Sequence, residues 1–456
     1  MGRRKLRQRQ AEEVVKKRQS EHFSLQTLRG MRDICKNEAE EWVKFTQMIH
    51  EVGKMFDFNY LETPILEHSS LFQKVTNDDG VGVLNKEMYN FVTQGEDKVT
   101  LRPEITPGIV RAYLEDGMQS LRHPVKLYTM GSIFRYERPQ EGRYRESHQL
   151  DFEMIGVEYP IAEAQLIQIA FYIFRKLELE NIVLEINSLG CRDCQREFYK
   201  QLKRYFARVK PKLCENCQIR AKKNPLRVFD CKEESCQEEL KDAPLIMDNL
   251  CKACNKHFKE VQEYLDALQI PYRINTRLVR GLDYYTHTVF EFWREGDEVR
   301  RQNALGGGGR YDHLVEEFGG KFTPAVGFAL GMDRVVAELL KKKKKKSEKP
   351  FVFLAQLGDK SRHKALQLFE KLWEAGYYVK EAFTKTSLRT QLRIAKQEKI
   401  RWVLLIGYKE AIEDTVIIRD QVSGVQHIIE QDKLVKFLED KKKEEEAEKI
   451  SNLSNS

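Results

Sequence analysis

The sequence lacks several features that mark large classes of protein. No uninterrupted apolar run within its 456 residues approaches the ~18 residues of a membrane-spanning helix. Its start, MGRRKLRQRQ, has no apolar segment of a secretory signal, and Leu6 stands where a myristoylation site has Ser or Thr. These absences favour the cytoplasm. A mitochondrial transit segment is the alternative, and Glu12 and Glu13 count against it.

The sequence also has no G-x-x-x-x-G-K-[ST] motif, the phosphate-binding loop of many nucleotide-binding enzymes. Its run of four glycines, Gly306–Gly309, is followed by Arg310 and Tyr311. A phosphate cradle between a strand and a helix is therefore not indicated. The glycines predict instead a close approach of the backbone over the floor of a site.

Basic charge is present and unevenly placed. The net charge is +8, eight Lys and Arg residues fall within the first 18 positions, and Lys341–Lys346 form an unbroken run. A basic surplus attracts polyanions such as nucleic acids because binding releases their counterions. Solubility is the alternative explanation, and composition does not separate the two. For the lysine run, a solvated hinge is the favoured interpretation.

Composition and hydrophobic periodicity divide the chain, whose length alone favours two or three domains. The predicted segments are a basic arm at 1–22, a first core segment at 23–190, a cysteine-rich helical insertion at 191–262, a second core segment at 263–340, a lysine-rich linker at 341–350, a small α/β domain at 351–440 and a charged tail at 441–456. The tail has mixed charge and no core to join. Long strands joined by polar loops predict an α+β fold with a mainly antiparallel sheet flanked by helices.

The apolar pattern also predicts individual elements. In the core we expect helices over 37–55 and 161–177, and strands over 88–92, 99–101, 125–135, 150–156, 182–186, 272–293 and 302–309. In the α/β domain we expect strands over 351–356, 379–383, 403–406 and 415–418, with helices over 361–375 and 387–398. Gly53 is a weak point in the first helix because glycine lowers helix propensity.

Residues 278–292, LVRGLDYYTHTVFEF, place polar side chains where a buried strand begins. The second half, Thr288–Phe292, is β-branched and aromatic and predicts a strand. Arg280, Tyr284 and Tyr285 stand just before it. Either the tyrosines are ordinary strand aromatics, or this group binds a ligand at the mouth of the sheet.

The segment 131–156, GSIFRYERPQEGRYRESHQLDFEMIG, predicts two strands around a loop rich in arginine. Arg135 ends the first strand, so its guanidinium is held in place, and a fixed arginine is a natural partner for a phosphate. Glu137, two residues on, faces the same side and offers an acceptor to the amino group of a base. A hairpin with salt bridges on a solvent-exposed face is the alternative.

The segment 324–335, PAVGFALGMDRV, predicts an apolar strand that turns into a helix. Small residues at Gly327, Ala329 and Gly331 leave space for a planar ring against the strand, and Arg334 stands above it. Close packing of a glycine-rich strand is the alternative.

Together these stretches resemble the three signature motifs of class II aminoacyl-tRNA synthetases. The first motif corresponds to the helix from Asn37 and the extended piece with Pro64, and the other two correspond to the segments at 131–156 and 324–335. The sequence RGLDYY (280–285) resembles the histidine-specific motif of the histidyl-tRNA synthetase family, in its bacterial style. LRPEIT (101–106), GGRYDHL (308–314), Gln149 and Glu153 match the family as well. The resemblance extends from about Leu28 to Asp440.

The resemblance implies two overlapping sets of site residues. The histidine-binding set is Glu104, Ile105, Thr106, Arg135, Gln149, Glu153, Arg280, Tyr284 and Tyr285, and the ATP-binding set is Arg135, Glu137, Arg143 and Arg334. Glu104, Thr106 and Gln149 are expected to hold the α-amino group, whereas Glu153 and Tyr285 read the imidazole beside Tyr284. Arg135 and Arg280 are the catalytic pair at the α-phosphate. Arg334 is expected at the γ-phosphate, Glu137 at the adenine, and Arg143 over the nucleotide.

The resemblance implies a histidine–tRNA ligase, which forms histidyl-adenylate from L-histidine and ATP with Mg²⁺ and then charges the 3′-terminal adenosine of tRNA(His). It implies a homodimer, an anticodon-binding role for 351–440 and contact of the insertion with the acceptor arm. The alternative is the synthetase-like regulatory subunit of histidine biosynthesis, which does not aminoacylate and usually lacks the end domain. A nucleic-acid-binding relative without activity is a third class.

Eight of the nine cysteines lie in the insertion. Three C-x-x-C pairs, with Cys231 and Cys236 between them, make Cys191, Cys194, Cys214, Cys217, Cys231, Cys236, Cys251 and Cys254 possible Zn²⁺ ligands. The first two pairs have the spacing of four-thiolate zinc sites, and disulfides are disfavoured in a reducing cytosol. The pairing of ligands is open. Because the family does not require this metal, reduced and idle cysteines are the alternative. Cys35 stands apart as a plain thiol.

Overall fold

The computed structural model describes residues 25–75, 87–139, 142–229, 231, 233–295, 304–342 and 350–454. The predicted basic arm and most of the predicted lysine-rich linker lie outside the described residues. The chain divides into two compact units, Met1–Lys342 and Lys343–Ser456. Within the described ranges, no helix has both the length and the apolar character that crossing a bilayer requires.

The described part of the first unit contains ten α-helices and eleven strands, and four of the helices follow one another between β7 and β8. The helices are α1 (Lys36–Met55), α2 (Ser69–Val75), α3 (Thr106–Glu115), α4 (Ile161–Lys176), α5 (Arg192–Val209), α6 (Glu215–Lys223), α7 (Glu234–Leu240), α8 (Lys252–Ala267), α9 (Leu314–Glu317) and α10 (Met332–Lys341). The strands are β1 (Asn59–Tyr60), β2 (Leu66–His68), β3 (Tyr89–Val92), β4 (Lys98–Leu101), β5 (Val125–Phe134), β6 (Glu146–Ile155), β7 (Ile182–Ser188), β8 (Tyr272–Ile274), β9 (Thr286–Arg294), β10 (Gly306–Arg310) and β11 (Ala325–Gly331).

The main sheet has the strand order β1-β5-β6-β11-β10-β9-β7-β8. Its outer pairs β1–β5 and β7–β8 are parallel, whereas the described pairs between them are antiparallel. The expected mainly antiparallel sheet is therefore confirmed. Strands β2, β4 and β3 form a separate small sheet.

The strand expected over 272–293 is wrong in its middle part. Residues 275–285 form an irregular segment between β8 and β9, and this segment carries the RGLDYY sequence. Its polar residues explain the break, because Arg280 and Asp283 bond to side chains rather than to a neighbouring strand.

Strand β6 divides its side chains between the two faces of the sheet. Leu150, Phe152 and Met154 are buried in an apolar cluster with residues of α1 and α4. The ring of Phe152 stacks between Tyr128 and Phe328, with centroid distances of 5.5 and 5.4 Å. The intervening residues of β6 point to the opposite face because successive side chains of a strand alternate.

A bulge at the end of β10 sets the position of the buried side chain of Arg310. The register with β9 shifts between Gly309 and Arg310. Arg310 is fully buried and bonds to Glu163 of α4 at 2.5 and 2.8 Å, and Glu163 also accepts from His257 of α8 at 2.6 Å. These paired charges satisfy each other, as buried ions require.

The second unit contains a five-stranded sheet in the order β13-β12-β14-β15-β16. Its elements are β12 (Val352–Gln356), α11 (Asp359–Glu374), β13 (Val379–Glu381), α12 (Leu388–Gln397), β14 (Trp402–Ile406), α13 (Tyr408–Glu413), β15 (Thr415–Asp420), β16 (Gln426–Glu430) and α14 (Leu434–Ser454). The expected strands and helices of this unit are confirmed to within a few residues. The sequence did not predict α13, β16 or α14.

Helix α14 corrects part of the prediction for the charged tail. The helix continues to Ser454, and Leu434 and Leu438 are fully buried. Glu445, inside the predicted tail, accepts hydrogen bonds from Trp402 Nε1 at 2.9 Å and from Arg401 at 3.3 Å. This part of the tail therefore does contact the unit.

Gly53 makes room for an aromatic ring. A Cβ at this position of α1 would lie 2.5 Å from Cε1 of Tyr128, whose ring is buried. Gly53→Ala normally gains about 1 kcal/mol in a helix. Here we expect a net loss, because moving a packed ring costs about 1–3 kcal/mol. Thermal unfolding measures the sign.

A double-mutant cycle identifies the cause. If the ring is the obstacle, Gly53→Ala is no longer destabilising in a Tyr128→Leu background. An equal loss in both backgrounds would contradict this explanation.

Candidate active site

A cavity in the first unit gathers nearly all of the predicted site residues. Those that line it are Glu104, Thr106, Arg135, Glu137, Arg143, Gln149, Glu153, Arg280, Tyr284, Tyr285 and Arg334. They come from the loop after β5, from β6, from the start of α10, from the segment that leads into α3 and from the irregular segment before β9. Ile105 is the exception, since its side chain is fully buried in an apolar cluster with Ile109 and Val110. The small residues Gly327, Ala329 and Gly331 also line the cavity, as expected.

Both carboxylate oxygens of Glu153 are hydrogen-bonded. Its Oε1 accepts from Thr106 Oγ1 at 2.8 Å, and its Oε2 accepts from the hydroxyl of Tyr311 at 2.6 Å. Burial raises the pKa of Glu153 to about 7, although both donors favour the charged form. The carboxyl group is thus fixed in position, and it changes between its charged and neutral forms near pH 7.

Glu104 is equally buried, but only one of its two carboxylate oxygens has a hydrogen-bond partner. The hydroxyl of Tyr284 donates to Oε2 at 3.1 Å, whereas Oε1 is buried without a hydrogen-bond partner. Burial raises the pKa of Glu104 to about 7, although Arg135 and Tyr284 lower it. An unpaired acceptor in a cavity wall suits a ligand that brings its own donor.

Asp151 is a buried acid that was not singled out from the sequence. Gln149 Nε2 donates to its Oδ1 at 2.7 Å, and its Oδ2 has no partner. Burial and the nearby Glu153 raise the pKa of Asp151 well above its usual value. The signal was present in the alternation of QLDFE, since positions 149, 151 and 153 share one face of a strand.

The three arginines are oriented by bonds to the protein. Arg135 Nε donates to the carbonyl of Pro103 at 2.8 Å, and Arg334 donates to the carbonyls of Ala304 at 2.5 Å and Gly142 at 3.3 Å. Arg280 pairs with Glu291. Each bond uses only some of the donors on a guanidinium, so the cations are positioned and still able to bind an anion.

Glu137 and Arg143 are paired with each other across the loop after β5, with a 3.2 Å contact. The other two arginines of this loop, Arg138 and Arg145, do not line the cavity; Arg145 lies over the ring of Tyr136, 3.8 Å from its centroid.

Two glycines allow charged side chains to lie against the sheet. A Cβ at Gly327 would overlap Glu153 Oε2, and a Cβ at Gly307 would lie 2.7 Å from Arg280 Nη1. The close approach expected for the four-glycine run is therefore observed at Gly307, where the group that approaches is an arginine.

Tyr311 and Asp333 were not assigned as site residues from the sequence. Tyr311 holds Glu153, as described above. Asp333 accepts from the backbone N–H of His148 at 2.6 Å and from Arg32 at 2.8 Å. Burial opposes its ionisation, but these bonds outweigh burial and lower the pKa of Asp333. Asp333 stands next to the predicted Arg334 in the chain, whereas Tyr311 follows Arg310, which was not predicted as a site residue.

The eight cysteines of the insertion form two groups. One contains Cys191, Cys194, Cys251 and Cys254, and the other contains Cys214, Cys217, Cys231 and Cys236. Within each group, the Sγ atoms all lie within 4.8 Å of one another. The pairing that the sequence left open is thus resolved in space, and Cys35 is exposed and apart.

Comparison with known proteins finds matches over both units. Residues 30–335 match the family model for histidyl-tRNA synthetase, and residues 351–441 match that for an anticodon-binding domain. A histidine–tRNA ligase of Desulforamulus reducens is 40% identical over 90% of this chain and 98% of its own length. One of Syntrophotalea carbinolica is 40% identical over 89% and 96%, respectively.

Solved structures give the same match. Apo histidyl-tRNA synthetase of S. aureus superposes with a TM-score of 0.76 at 29% identity, covering 91% of this chain and 100% of the other. A Bacillus halodurans protein described as an ATP phosphoribosyltransferase regulatory subunit/histidyl-tRNA synthetase has a TM-score of 0.60 at 19% identity, covering 84% and 99%. At that identity the likeness shows the fold alone.

The buried acids predict a pH-dependent stability. Because the folded pKa of Glu104 is raised to about 7, the folded state binds its proton more tightly than the unfolded state does. Its contribution is fully present below the unfolded pKa of 4.5 and is lost as the pH rises through about 7. We expect Glu104→Gln to raise the Tm of the ligand-free chain at pH 8 and to have little effect near pH 4.5.

Glu51→Gln, at an exposed position of α1, is the matched control. A change in Tm for Glu104→Gln that is the same at both pH values would contradict the assigned cause.

Proposed function

The chain belongs to the histidyl-tRNA synthetase family, and we propose that it carries out the reaction of that family in the cavity formed by β5, β6, β11 and the RGLDYY segment. L-Histidine and ATP form histidyl-adenylate and pyrophosphate, and histidine then passes to the 3′-terminal adenosine of tRNA(His). The observation that carries this proposal is the convergence of two buried carboxylates and three oriented guanidiniums on one cavity. The relatives at 40% identity favour the ligase over the regulatory subunit.

Histidine recognition requires groups that match both of its ends. The unpaired Oε1 of Glu104 accepts a hydrogen bond from the α-ammonium group, with Thr106 and Gln149 close by. An imidazole both donates and accepts, so the carboxyl of Glu153 and the hydroxyl of Tyr285 together recognise it where an apolar side chain would leave two polar atoms unpaired.

Adenylate formation is a displacement at phosphorus. A carboxylate oxygen of histidine bonds to the α-phosphorus as the bond to the bridging oxygen breaks and pyrophosphate leaves. Charge grows on the non-bridging oxygens, and Arg135 and Arg280 stabilise it without first having to reorient. Mg²⁺ enters with ATP as its counterion.

The rest of the nucleotide lies along the loop after β5 and the start of α10. Arg334, held by two backbone carbonyls, binds the γ-phosphate. Glu137 accepts from the adenine amino group, and Arg143 covers the nucleotide once its ion pair with Glu137 rearranges.

Transfer RNA contacts both units in this proposal. The second unit matches an anticodon-binding family and binds the anticodon loop. The insertion contacts the acceptor arm, and α5 offers exposed basic side chains for this purpose at Arg196, Lys200, Lys203 and Arg204. The cytoplasm is the compartment we assign, and structural Zn²⁺ belongs to the cysteine-rich insertion.

A homodimer is supported by an exposed apolar region in the first unit. Its members, each between 41% and 61% exposed, are Met55, Tyr60, Ile65, Leu66, Phe91 and Val92. They lie on the end of α1, on β1, before and on β2, and on β3. Strands β2 and β3 belong to the same small sheet, and exposed apolar groups gathered on one surface are typical of subunit interfaces.

The first prediction of this proposal concerns Arg280. We expect Arg280→Ala to slow histidine-dependent ATP–pyrophosphate exchange by roughly 100- to 1,000-fold, from the ~2.7–4 kcal/mol of one lost charge-stabilising donor, and to leave histidine affinity nearly intact. Arg273→Ala, which removes an exposed arginine, is the control and should retain activity.

Near-normal exchange by Arg280→Ala would refute the catalytic role. Absence of any histidine-dependent exchange in the unmodified chain would instead favour the regulatory subunit, and lack of tRNA(His) charging despite exchange would contradict the second step.

The second prediction concerns assembly. We expect the unmodified chain to sediment as a dimer and Leu66→Asp/Val92→Asp to sediment as a monomer, because two desolvated carboxylates oppose association. Val422→Asp, at a 79% exposed valine of the second unit, should leave the dimer intact. A dimer that survives the double substitution would place the interface elsewhere.

A further inference from the structure

We propose that the insertion binds two structural zinc ions, one in each four-cysteine group, and that these ions hold the RGLDYY segment in its ligand-binding conformation. The metal sites stand on their own geometry, whereas the effect on histidine binding rests on the proposed function. The first zinc site consists of Cys191, Cys194, Cys251 and Cys254, and the second consists of Cys214, Cys217, Cys231 and Cys236.

The spacing of the sulfur atoms fits tetrahedral zinc. Four thiolates at the usual Zn–S distance of about 2.3 Å have Sγ atoms about 3.8 Å apart. In the first zinc site, Sγ–Sγ distances are 3.6 Å for Cys191–Cys194, 3.9 Å for Cys194–Cys254 and 3.4 Å for Cys251–Cys254. In the second, Cys214–Cys231 is 3.8 Å. All eight cysteines are free thiols.

Backbone donors point at the sulfur atoms. In the first zinc site, Cys191 N–H donates to Cys254 Sγ and Cys251 N–H donates to Cys194 Sγ, both at 3.2 Å. In the second, Cys214 N–H donates to Cys236 Sγ at 3.2 Å. Such donors stabilise thiolate, the form of cysteine that binds metal.

The local fold also fixes the cysteines in place. Cys191, Cys214 and Cys251 are the N-cap residues of α5, α6 and α8, so the first cysteine of each C-x-x-C pair is held where its helix begins. Four thiolates packed together repel one another unless a cation lies among them. A set of four sulfurs selects zinc over Mg²⁺ or Ca²⁺, which prefer oxygen.

The first zinc site joins the two ends of the insertion beside the end of the RGLDYY segment. The carbonyl of Gly190, adjacent to Cys191, accepts from His287 N–H at 2.8 Å, and Leu189 N–H donates to the carbonyl of His287 at 2.6 Å. Gln195 of α5 donates to the carbonyl of Tyr285 at 3.0 Å. Fixing Cys191 therefore fixes the backbone that carries Tyr285.

The second zinc site holds the middle of the same segment. Helix α6 begins at this site and leads into Asn224 and Arg227. Asn224 Nδ2 donates to Asp283 Oδ1 at 2.8 Å, and Arg227 Nε lies 3.4 Å from the same oxygen. Arg227 also donates to the carbonyl of Gly281. These bonds hold the residues on either side of Leu282, between Arg280 and Tyr284.

Together the two zinc sites hold the RGLDYY segment through contacts made by the insertion. Inside the cavity, Arg280 is held by Glu291 and Tyr284 by Glu104. Loss of either zinc releases one of the insertion contacts from its metal-bound anchor. Tyr284 is then less well placed for histidine, and Arg280 is less well placed for the α-phosphate. The insertion thus acts on the reaction although no cysteine lines the cavity among the described residues.

Metal content tests the sites directly. We expect elemental mass spectrometry to find two zinc ions per chain in protein purified without chelator. The control Cys35→Ser should also contain two. Cys191→Ser/Cys194→Ser and Cys214→Ser/Cys217→Ser should each contain one. Below about 0.2 zinc per chain in the unmodified protein, or iron in its place, the zinc proposal is overturned.

If a cysteine variant does not fold, titration of the unmodified protein with an organomercurial decides the same point. Modification of the insertion thiols should release both ions, in two resolvable steps. Release of a single equivalent would overturn the assignment of two sites.

The link to histidine binding has a separate test that leaves the cysteines unchanged. We expect Asn224→Ala/Arg227→Ala to retain two zinc ions and to raise KM for histidine about 10- to 100-fold in pyrophosphate exchange, since small misplacements of binding groups are costly. KM for ATP should change less. Lys222→Ala, at an exposed position of α6, is the control.

An unchanged KM for histidine in Asn224→Ala/Arg227→Ala would overturn the link between the second zinc site and the RGLDYY segment. Zinc content is measured without reference to activity, so the absence of exchange in the unmodified chain would count against the proposed function and not against the metal sites.

Discussion

The cavity depends on buried acids whose neighbours along the same strand pack into the hydrophobic core. In β6, Leu150 and Phe152 pack into the core, and Asp151 and Glu153 between and beside them are turned to the cavity face, where water is largely excluded. Burial raises the pKa of both acids. Each depends on the donors around it, so Thr106, Gln149 and Tyr311 are required to hold the carboxyl groups in place. The rigidity of the binding site follows from that of the core.

The bulge in β10 links the buried acid Glu153 to a second group of buried charges on the opposite face of the sheet. Arg310 enters a buried ion cluster with Glu163, and the next residue, Tyr311, reaches Glu153. His257 joins this cluster from α8, the helix that begins at the first cysteine group. Contacts therefore run without interruption from the insertion to the cavity.

Sequence patterns predicted the sheet and its main direction of pairing, because alternation in a strand fixes which side chains share a face. Most of the lining residues were predicted by the resemblance to a known family and not by periodicity. They did not predict what depends on distant partners. Asp151 was missed although the alternation of QLDFE places it on the same face as Gln149 and Glu153, because its burial beside these groups depends on the fold. Ile105 was placed in the site by resemblance, yet its side chain packs in the core. The end of the chain looked unanchored because its contacts, hydrogen bonds from Trp402 and Arg401 to Glu445, depend on tertiary position rather than on apolar periodicity.

The contact between Arg32 and Asp333 spans 301 positions, almost the full length of the first unit. Asp333 precedes Arg334, and Gly327 on β11 pairs with Glu153 on β6. During synthesis the ribosome therefore releases the buried carboxylates Glu104 and Glu153 long before strand β11, which pairs with β6. We expect these acids to remain hydrated in the nascent chain until β11 has been synthesised. The cavity is then among the last regions of the first unit to exclude water.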